Sequence, residues 1–277
     1  MKFSSDLYIK EAILFGSTLT IGVFSAFRSI ASSTTVVVPE IRFDWSDIIF
    51  LAVLASFFIF FSRYQRVISF SYKLFLVLIV FSGTSMVMSS LLNSPWDVWA
   101  TFLIVVVFLS VKNVLVHNVG VILAVAGIGS LLGLTISPGT AVIIMVLLSF
   151  YDIIAVYVTK HMVRMAKVMM ESGAIFGFII PSQMSGFFFH KREAQVGAGA
   201  GGQFMILGSG DIGLPVILAS SLVRHSLTGA IIVAVFSLAG LFITHIIFVN
   251  QRERRPMAAL PPIATMSIIG YLLYTIL

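Results

Sequence analysis

Two stretches determine the fold of this chain: TAVIIMVLLSFYDIIAVYVT (residues 140–159) and FMILGSGDIGLPVILASSLV (residues 204–223), each apolar except for one aspartate. A helix that crosses a bilayer needs about 20 predominantly apolar residues. Both stretches have that length, so they predict membrane-spanning helices that carry Asp152 and Asp211 within the membrane.

The composition of the whole chain is also that of a membrane protein. Of its 277 residues, 59% are hydrophobic and 10% are charged, whereas a soluble domain is about half apolar and a quarter charged. The 17 basic and 11 acidic side chains are too few to cover a water-facing surface, which excludes a soluble enzyme, a nucleic-acid-binding protein and a disordered module. Because the chain has no cysteine, disulfides, thiolate nucleophiles and cysteine–zinc sites are excluded as well.

Hydropathy predicts nine spans, and therefore an all-α membrane protein. The candidates are residues 10–30, 47–62, 71–92, 97–111, 114–134, 140–159, 204–223, 228–249 and 261–277. We divide the chain into a six-helix part at 1–159, a connecting loop at 160–203 and a three-helix part at 204–277. The first span lacks a small-residue cleavage site followed by a soluble domain, so we expect no cleavable signal peptide.

The basic residues indicate the direction of the spans. With loops on alternating sides, three of the 17 basic residues (Arg28, Arg42 and Arg224) fall on one side of the membrane and the other 14 on the opposite side. Basic loops are retained in the cytoplasm. We therefore expect a cytoplasmic N-terminus and an extracytoplasmic C-terminus.

The cytoplasmic loop at 160–203 has three segments. Residues 160–171 alternate Met or Val with basic residues at helical spacing, which predicts an interfacial amphipathic helix. Residues 176–189 are apolar and too short to span, which indicates either a re-entrant or groove-lining segment or an ordinary apolar loop. The run GAGAGG at 197–202 is typical of a flexible linker. It matches a dinucleotide fingerprint formally, but it lacks the preceding strand and the following acid.

Two of the 11 acids lie deep within predicted spans. A carboxylate at bilayer depth costs about 2.5–3.5 kcal/mol on insertion scales, so Asp152 and Asp211 are candidate functional residues. A structural acid bonded to a neighbouring helix is the alternative. The other nine acids are expected near span ends or in loops: Asp6, Glu11, Glu40, Asp44, Asp47, Asp97, Glu171, Glu193 and Glu253.

Asp152 and Asp211 are expected at the same depth. Asp152 lies eight residues before Lys160 and Asp211 seven residues after Phe204, or ~12 and ~10 Å from the cytoplasmic span ends if both segments are helical. Two carboxyl groups in contact in apolar surroundings share one proton. Such a pair suits an aspartic protease, because one carboxylate activates water while the other, protonated, polarises the scissile carbonyl.

Glycines near Asp211 favour a site over simple packing. Gly208, Gly210 and Gly213 weaken the helix and admit another backbone, and Pro215 removes an amide donor. Irregular backbone at membrane depth persists only against protein or water, and hydrolysis requires water. Close helix packing is the alternative, and we expect it elsewhere for Gly127, Gly129 and Gly133.

Three short motifs follow one another along the chain. They are Tyr151-Asp152, Gly208-Ser209-Gly210-Asp211, and Ala259-Leu260-Pro261 at the start of the last span. As an ordered set they resemble the YD, GxGD and PAL motifs of the presenilin and signal peptide peptidase family, which are intramembrane aspartyl proteases. The resemblance covers the whole chain, with one departure, because Ala258 stands where the family's PAL segment has its proline.

The resemblance implies roles for these residues. Asp152 and Asp211 would be catalytic, Tyr151, Gly208 and Gly210 would shape the site, and Ala259, Leu260 and Pro261 would position the substrate. It implies neither a cofactor nor a metal. The sequence after Asp211 is similar to signal peptide peptidases and the predicted orientation to presenilins, which suits a microbial presenilin-type homologue in the plasma membrane.

The expected partners are transmembrane-helix substrates and the lipid bilayer, not nucleic acids. A substrate helix hides its scissile amides in its own hydrogen bonds and must be unwound. We hypothesise that the extended substrate pairs with a strand edge formed by the cytoplasmic loop. Homo-oligomerisation and accessory subunits stay open.

Two other functions share some of these sequence features. A proton- or cation-coupled transporter could use the same two acids as carriers, but no inverted repeat is evident. Prepilin peptidases share the GxGD chemistry, but the lysine expected soon after the aspartate is absent from Ile212, Gly213 and Leu214. The histidines lack metal-ligand spacing, and we expect His245 to be packed or hydrogen-bonded.

Overall fold

The structure is a computed structural model that describes residues 5–31, 65–160, 169–190, 204–251 and 256–276. Within these ranges it contains eight α-helices and two short strands. The helices are α1 (Ser5–Ala31), α2 (Gln65–Leu91), α3 (Trp96–Ser110), α4 (Val114–Thr135), α5 (Pro138–Ile153), α6 (Ser209–Leu222), α7 (Leu227–Val249) and α8 (Leu260–Ile276). A π-helical turn, Ile154–Val158, extends α5. The strands are β1 (Gly177–Pro181) and β2 (Phe204–Gly208).

The helices have the length and the surface of a membrane protein. Five are long and apolar enough to cross a bilayer: α1, α2 from Phe70, α4, α5 with its π-helical turn, and α7. The apolar helices α3, α6 and α8 are shorter. Outward-facing side chains such as Phe70, Leu147 and Val158 are exposed, as lipid contact allows. Eight predicted spans thus overlap helices, and the ninth, 47–62, lies outside the described residues.

Residues 204–223 do not form one helix, and that prediction is wrong at its start. Phe204–Gly208 pairs antiparallel with Gly177–Pro181, and α6 begins only at Ser209. Both runs are short and apolar, so their backbone groups can be satisfied by each other as well as by a helix. Asp211 therefore lies in the first turn of a helix rather than two turns into one.

The apolar part of the long loop is a buried strand, not a surface loop. All five residues of β1 are buried, and a 3-10 turn at Met184–Phe188 follows. Of the predicted amphipathic helix, the end at 169–172 is helical, whereas 161–168 lies outside the described residues. The glycine linker at 197–202 also lies outside them.

Helix α4 is at the centre of the packing. It contacts α1, α2, α6 and β1. A Cβ atom added at Gly127 would collide with the backbone of Gly83 on α2, and one added at Gly133 would lie 2.6 Å from the carbonyl oxygen of Ile217 on α6. Glycine is needed where two helix backbones touch, so the packing role expected for the α4 glycines is confirmed at these positions.

Candidate active site

Asp152 faces inward from the last turn of α5. It is 5% exposed, whereas its neighbours Tyr151 and Ile153 are 56% and 40% exposed. The π-helical turn Ile154–Val158 follows directly, and such turns occur frequently at functional sites. Asp152 is thus directed toward the protein interior between two exposed neighbours.

Asp211 faces inward from the first turn of α6. It is 8% exposed. Gly208 is the N-cap residue of α6, and a Cβ atom added there would lie 3.1 Å from Oδ2 of Asp211. The carboxylate thus bends back over the start of its helix, where unpaired amides and the helix dipole favour negative charge.

The helices that carry the two carboxylates are in contact. Helix α5 packs against α6, and α8 packs against both. The fold therefore brings together the helices that carry two acids 59 residues apart in the sequence.

The segment that leads into α8 completes the site. The backbone N–H of Leu260 donates a hydrogen bond to Oδ2 of Asp152 over 3.3 Å, and Leu260 is buried. The carbonyl oxygen of Ala259 accepts a 3.4 Å hydrogen bond from Oγ1 of Thr244 on α7. Pro261 follows as the second residue of α8. The predicted substrate-positioning segment therefore touches one of the two acids directly.

The family comparison matches nearly the whole chain. Residues 11–277 fit the family described as signal-peptide peptidase, presenilin aspartyl protease. The chain belongs to this family. It is accordingly an intramembrane aspartyl protease, and the alternative of a transporter gains no support from the comparisons.

Solved structures with the same fold carry a matching description. Two are of a presenilin family intramembrane aspartate protease, one in space group C222 and one in P2. The first is 21% identical, with a TM-score of 0.58, and the match covers 96% of this chain and 95% of the other. The second is 20% identical, with a TM-score of 0.54, and the match covers 94% and 96%. A comparison with curated proteins gives no significant match.

The remaining predicted site residues of the protease differ in position. Gly208 adjoins Asp211, as described above. Gly210 is exposed, and a Cβ atom added there would meet nothing within 4 Å. Tyr151 is on the outer side of α5, and 56% of it is exposed. The structure thus groups Gly208 with the acids, leaves open space at Gly210 and turns Tyr151 away.

Asn118 and His117 contact β1, and sequence reasoning did not select them for this role. Asn118 on α4 accepts a 2.9 Å hydrogen bond from the N–H of Ile179 and donates a 2.7 Å bond to its carbonyl oxygen. Nε2 of His117 lies 3.1 Å from the carbonyl oxygen of Gly177, which can only accept. The sequence signal that could have identified them is that two polar residues are adjacent near one end of an apolar span.

Lys10 on α1 also bonds the backbone at the end of β1. Its ammonium group donates to the carbonyl oxygens of Pro181 (3.3 Å) and Ser182 (2.8 Å) and to Oδ2 of Asp6 (2.7 Å). Lys10 is only 3% exposed. A buried ammonium needs such partners because an unpaired buried charge is costly.

Glu11, which is expected near a span end, is buried near the start of α1. It is 1% exposed, and its Oε1 lies 3.0 Å from Nδ1 of His245 on α7. The expectation that His245 is hydrogen-bonded is confirmed. Hydropathy could not identify Glu11 as the partner of His245, because the two residues lie on different helices, 234 residues apart in the sequence. No cluster of three or more metal-ligating side chains occurs among the described residues.

Proposed function

We propose that Asp152 and Asp211 form the catalytic dyad of a GxGD-type protease that hydrolyses peptide bonds within transmembrane helices. The observation that carries the proposal is the placement of two buried aspartates on helices that pack against each other, with Asp152 bonded to the N–H of Leu260. Carboxylates in membrane helices are costly, so where they occur they mark candidate functional sites. The family match supports the same assignment.

The proposed chemistry needs only the two acids and water. One carboxylate takes a proton from water, whose oxygen attacks the scissile carbonyl carbon, while the protonated partner donates a hydrogen bond to the carbonyl oxygen. The tetrahedral intermediate then collapses as the C–N bond breaks, and the nitrogen receives the proton that the first carboxylate took from water. Because the carboxyls share one proton, the dyad titrates as a unit rather than as a separate acid and base.

Glycines would give the reaction its space. Gly210 borders open space, which provides room for water or substrate beside Asp211. Gly208 leaves the carboxylate of Asp211 room to bend back. Tyr151 precedes Asp152, but its outward orientation means that a site-shaping role needs a bound substrate or a further contact to reach the dyad.

The segment Ala259–Leu260–Pro261 would seat the substrate. Its backbone is fixed at the first two residues of the motif, by Thr244 at Ala259 and by Asp152 at Leu260. Pro261 fixes the backbone in the first turn of α8, where its missing N–H removes no helical hydrogen bond. Ala258, in place of the family's proline, is buried, so the segment is held by packing at that position.

The edge of β2 is the proposed docking place for unwound substrate. In the described part of the chain the sheet has two strands, β1 and β2. An extended peptide can add to an open strand edge through main-chain hydrogen bonds, which replace those lost when its helix unwinds. Because β2 ends at Gly208, three residues before Asp211, a peptide on that edge would run toward the dyad.

The orientation and location are proposed from the charges. Nine spans with 14 of 17 basic residues on one side support a cytoplasmic N-terminus and an extracytoplasmic C-terminus. On this topology the antiparallel pair of β1 and β2, which we call the hairpin, and the dyad open toward the cytoplasm, in the plasma membrane of a microbe. The division at 1–159, 160–203 and 204–277 puts one acid on each side of the loop.

The decisive experiment uses the full chain purified in detergent and a single-span membrane protein as substrate. Wild type is compared with Asp152→Asn and Asp211→Asn, which keep the size of each side chain and remove its acid. We expect cleavage by wild type and a loss of at least about 1,000-fold in both variants, within the range seen when catalytic groups are removed. The matched control is Asp97→Asn, at the start of α3.

Asp97→Asn should cleave at the wild-type rate. Cleavage that survives in either dyad variant would contradict the assignment of that residue. Because the purified chain is tested without other proteins, activity would also show that accessory subunits are dispensable. The molecular mass at which the chain elutes in size-exclusion chromatography would show whether it is a homo-oligomer.

A further inference from the structure

The outer edge of β1, on the side away from β2, is closed by side chains instead of by a third strand. Alternate residues of a strand point their backbone groups to the same edge. The carbonyl oxygens of Gly177, Ile179 and Pro181 follow that alternation, and each is bonded by a side chain, from His117, Asn118 and Lys10 in turn.

Asn118 bonds β1 as a neighbouring strand residue would. In an antiparallel pair, two opposite residues exchange both of their N–H···O bonds. The amide of Asn118 makes the same exchange with Ile179, accepting over 2.9 Å and donating over 2.7 Å. The side chain is 1% exposed, so water does not compete for these bonds.

This exchange determines which edge of the hairpin is available. Ile179 is opposite Ile206 in the sheet register. Since the N–H and carbonyl groups of Ile179 point to Asn118, this pair is a non-hydrogen-bonded one, and the ladder bonds run through Phe178 and Ile180. The N–H and carbonyl groups of Ile206 therefore point to the far edge of β2.

We infer that Asn118 is a positioning residue for proteolysis: by standing in for a third strand on β1, it fixes the hairpin so that the edge of β2 that no other described strand covers lies next to Asp211. This inference rests on the proposed function. The position of the sheet is connected to that of Asp211 through few residues. Gly208 ends β2 and caps α6, and the N–H of Ser209 donates to the carbonyl oxygen of Phe176 over 3.2 Å.

The test compares Asn118→Leu with wild type. The substitution keeps a side chain of similar size, but it removes both the acceptor for the Ile179 N–H and the donor to the Ile179 carbonyl oxygen. We expect kcat/KM on a single-span substrate to fall about tenfold or more, and mass spectrometry to show cleavage spread over neighbouring peptide bonds. Asn118→Gln, which retains both amide groups, should recover part of the wild-type product pattern.

The matched control is Ser237→Ala. It removes the buried 2.7 Å hydrogen bond between Ser237 on α7 and Ser267 on α8, which does not involve the hairpin. All variants are compared at equal amounts of folded protein. We expect Ser237→Ala to keep the wild-type product pattern, because loss of a buried hydrogen bond alone should not move the site of cleavage.

A second measurement does not depend on activity. Hydrogen–deuterium exchange of peptides that cover residues 177–181 and 204–208 is followed in Asp211→Asn, with and without Asn118→Leu. We expect faster exchange in both strands when Asn118 is replaced. Unchanged exchange would overturn the inference, as would faster exchange with an unchanged product pattern and KM. If wild type itself cleaves nothing, the proposed function fails, and exchange still decides whether Asn118 holds the hairpin.

Discussion

The backbone N–H of Leu260 donates a hydrogen bond to Oδ2 of Asp152. This bond joins the start of α8 to the last turn of α5, across 108 residues of sequence. It uses a backbone group that every residue except proline provides. The contact with Asp152 therefore depends on the backbone of residue 260 and not on its leucine side chain.

Leu260→Pro should remove this donor with little damage to the helix. Leu260 is the first residue of α8, where proline is tolerated because that N–H has no helical partner. A hydrogen bond to a charged group contributes about 1.5–3 kcal/mol, so we expect kcat to fall by about 10- to 100-fold. Leu260→Ala keeps the N–H and should retain more activity. Equal activities in the two variants, at equal thermal stability, would show that the bond is unimportant.

Gly208→Ala should impair catalysis more than Gly210→Ala. A Cβ atom at Gly208 would lie 3.1 Å from Oδ2 of Asp211 and push the carboxylate aside, whereas one at Gly210 enters open space. A misplaced catalytic group can cost about 100-fold in rate, so we expect a loss of roughly ten- to 100-fold for Gly208→Ala and a rate near wild type for Gly210→Ala. Initial rates at saturating substrate distinguish the two. The reverse order would show that Gly210, not Gly208, borders the reacting atoms.

Gly127→Ala should destabilise the protein without touching the dyad. The added methyl group would collide with the backbone of Gly83 on α2, and forcing an extra carbon into a packed contact costs about 1–3 kcal/mol. Gly139→Ala is the control, since nothing lies within 4 Å of a Cβ atom there. Thermal unfolding in detergent should show a lower midpoint only for Gly127→Ala.

Removal of one partner of the Glu11–His245 pair should cost more than removal of both. Both side chains are 1% exposed, and loss of one removes the 3.0 Å hydrogen bond from the other buried side chain, which costs about 1–3 kcal/mol. Replacing both with leucine removes the polar groups together. A double-mutant cycle of Glu11→Leu and His245→Leu, read by thermal unfolding, should therefore show strong coupling. Additive effects would mean that the 3.0 Å contact contributes nothing to stability.

Hydropathy and charge predicted the helices and the acids well, because the bilayer imposes a length and a penalty that are visible residue by residue. Asp152 and Asp211 stood out for that reason. A strand edge was hypothesised for the cytoplasmic loop, but the residues and the pairing of the two strands were not predicted, since GFIIP and FMILG are short apolar runs whose partner lies far along the chain. The burial of Glu11 and the bonds of Asn118 were missed because both depend on side chains from other helices.

The central position of α4 has a consequence for genetics. This helix carries no acidic residue, yet its Asn118 holds β1, its Gly127 meets the backbone of α2 and its Gly133 meets that of α6. A saturation mutagenesis screen for proteolysis should thus find intolerant positions on α4 as densely as on the two helices with the aspartates. Loss-of-function alleles there would disable the enzyme at a distance from its chemistry.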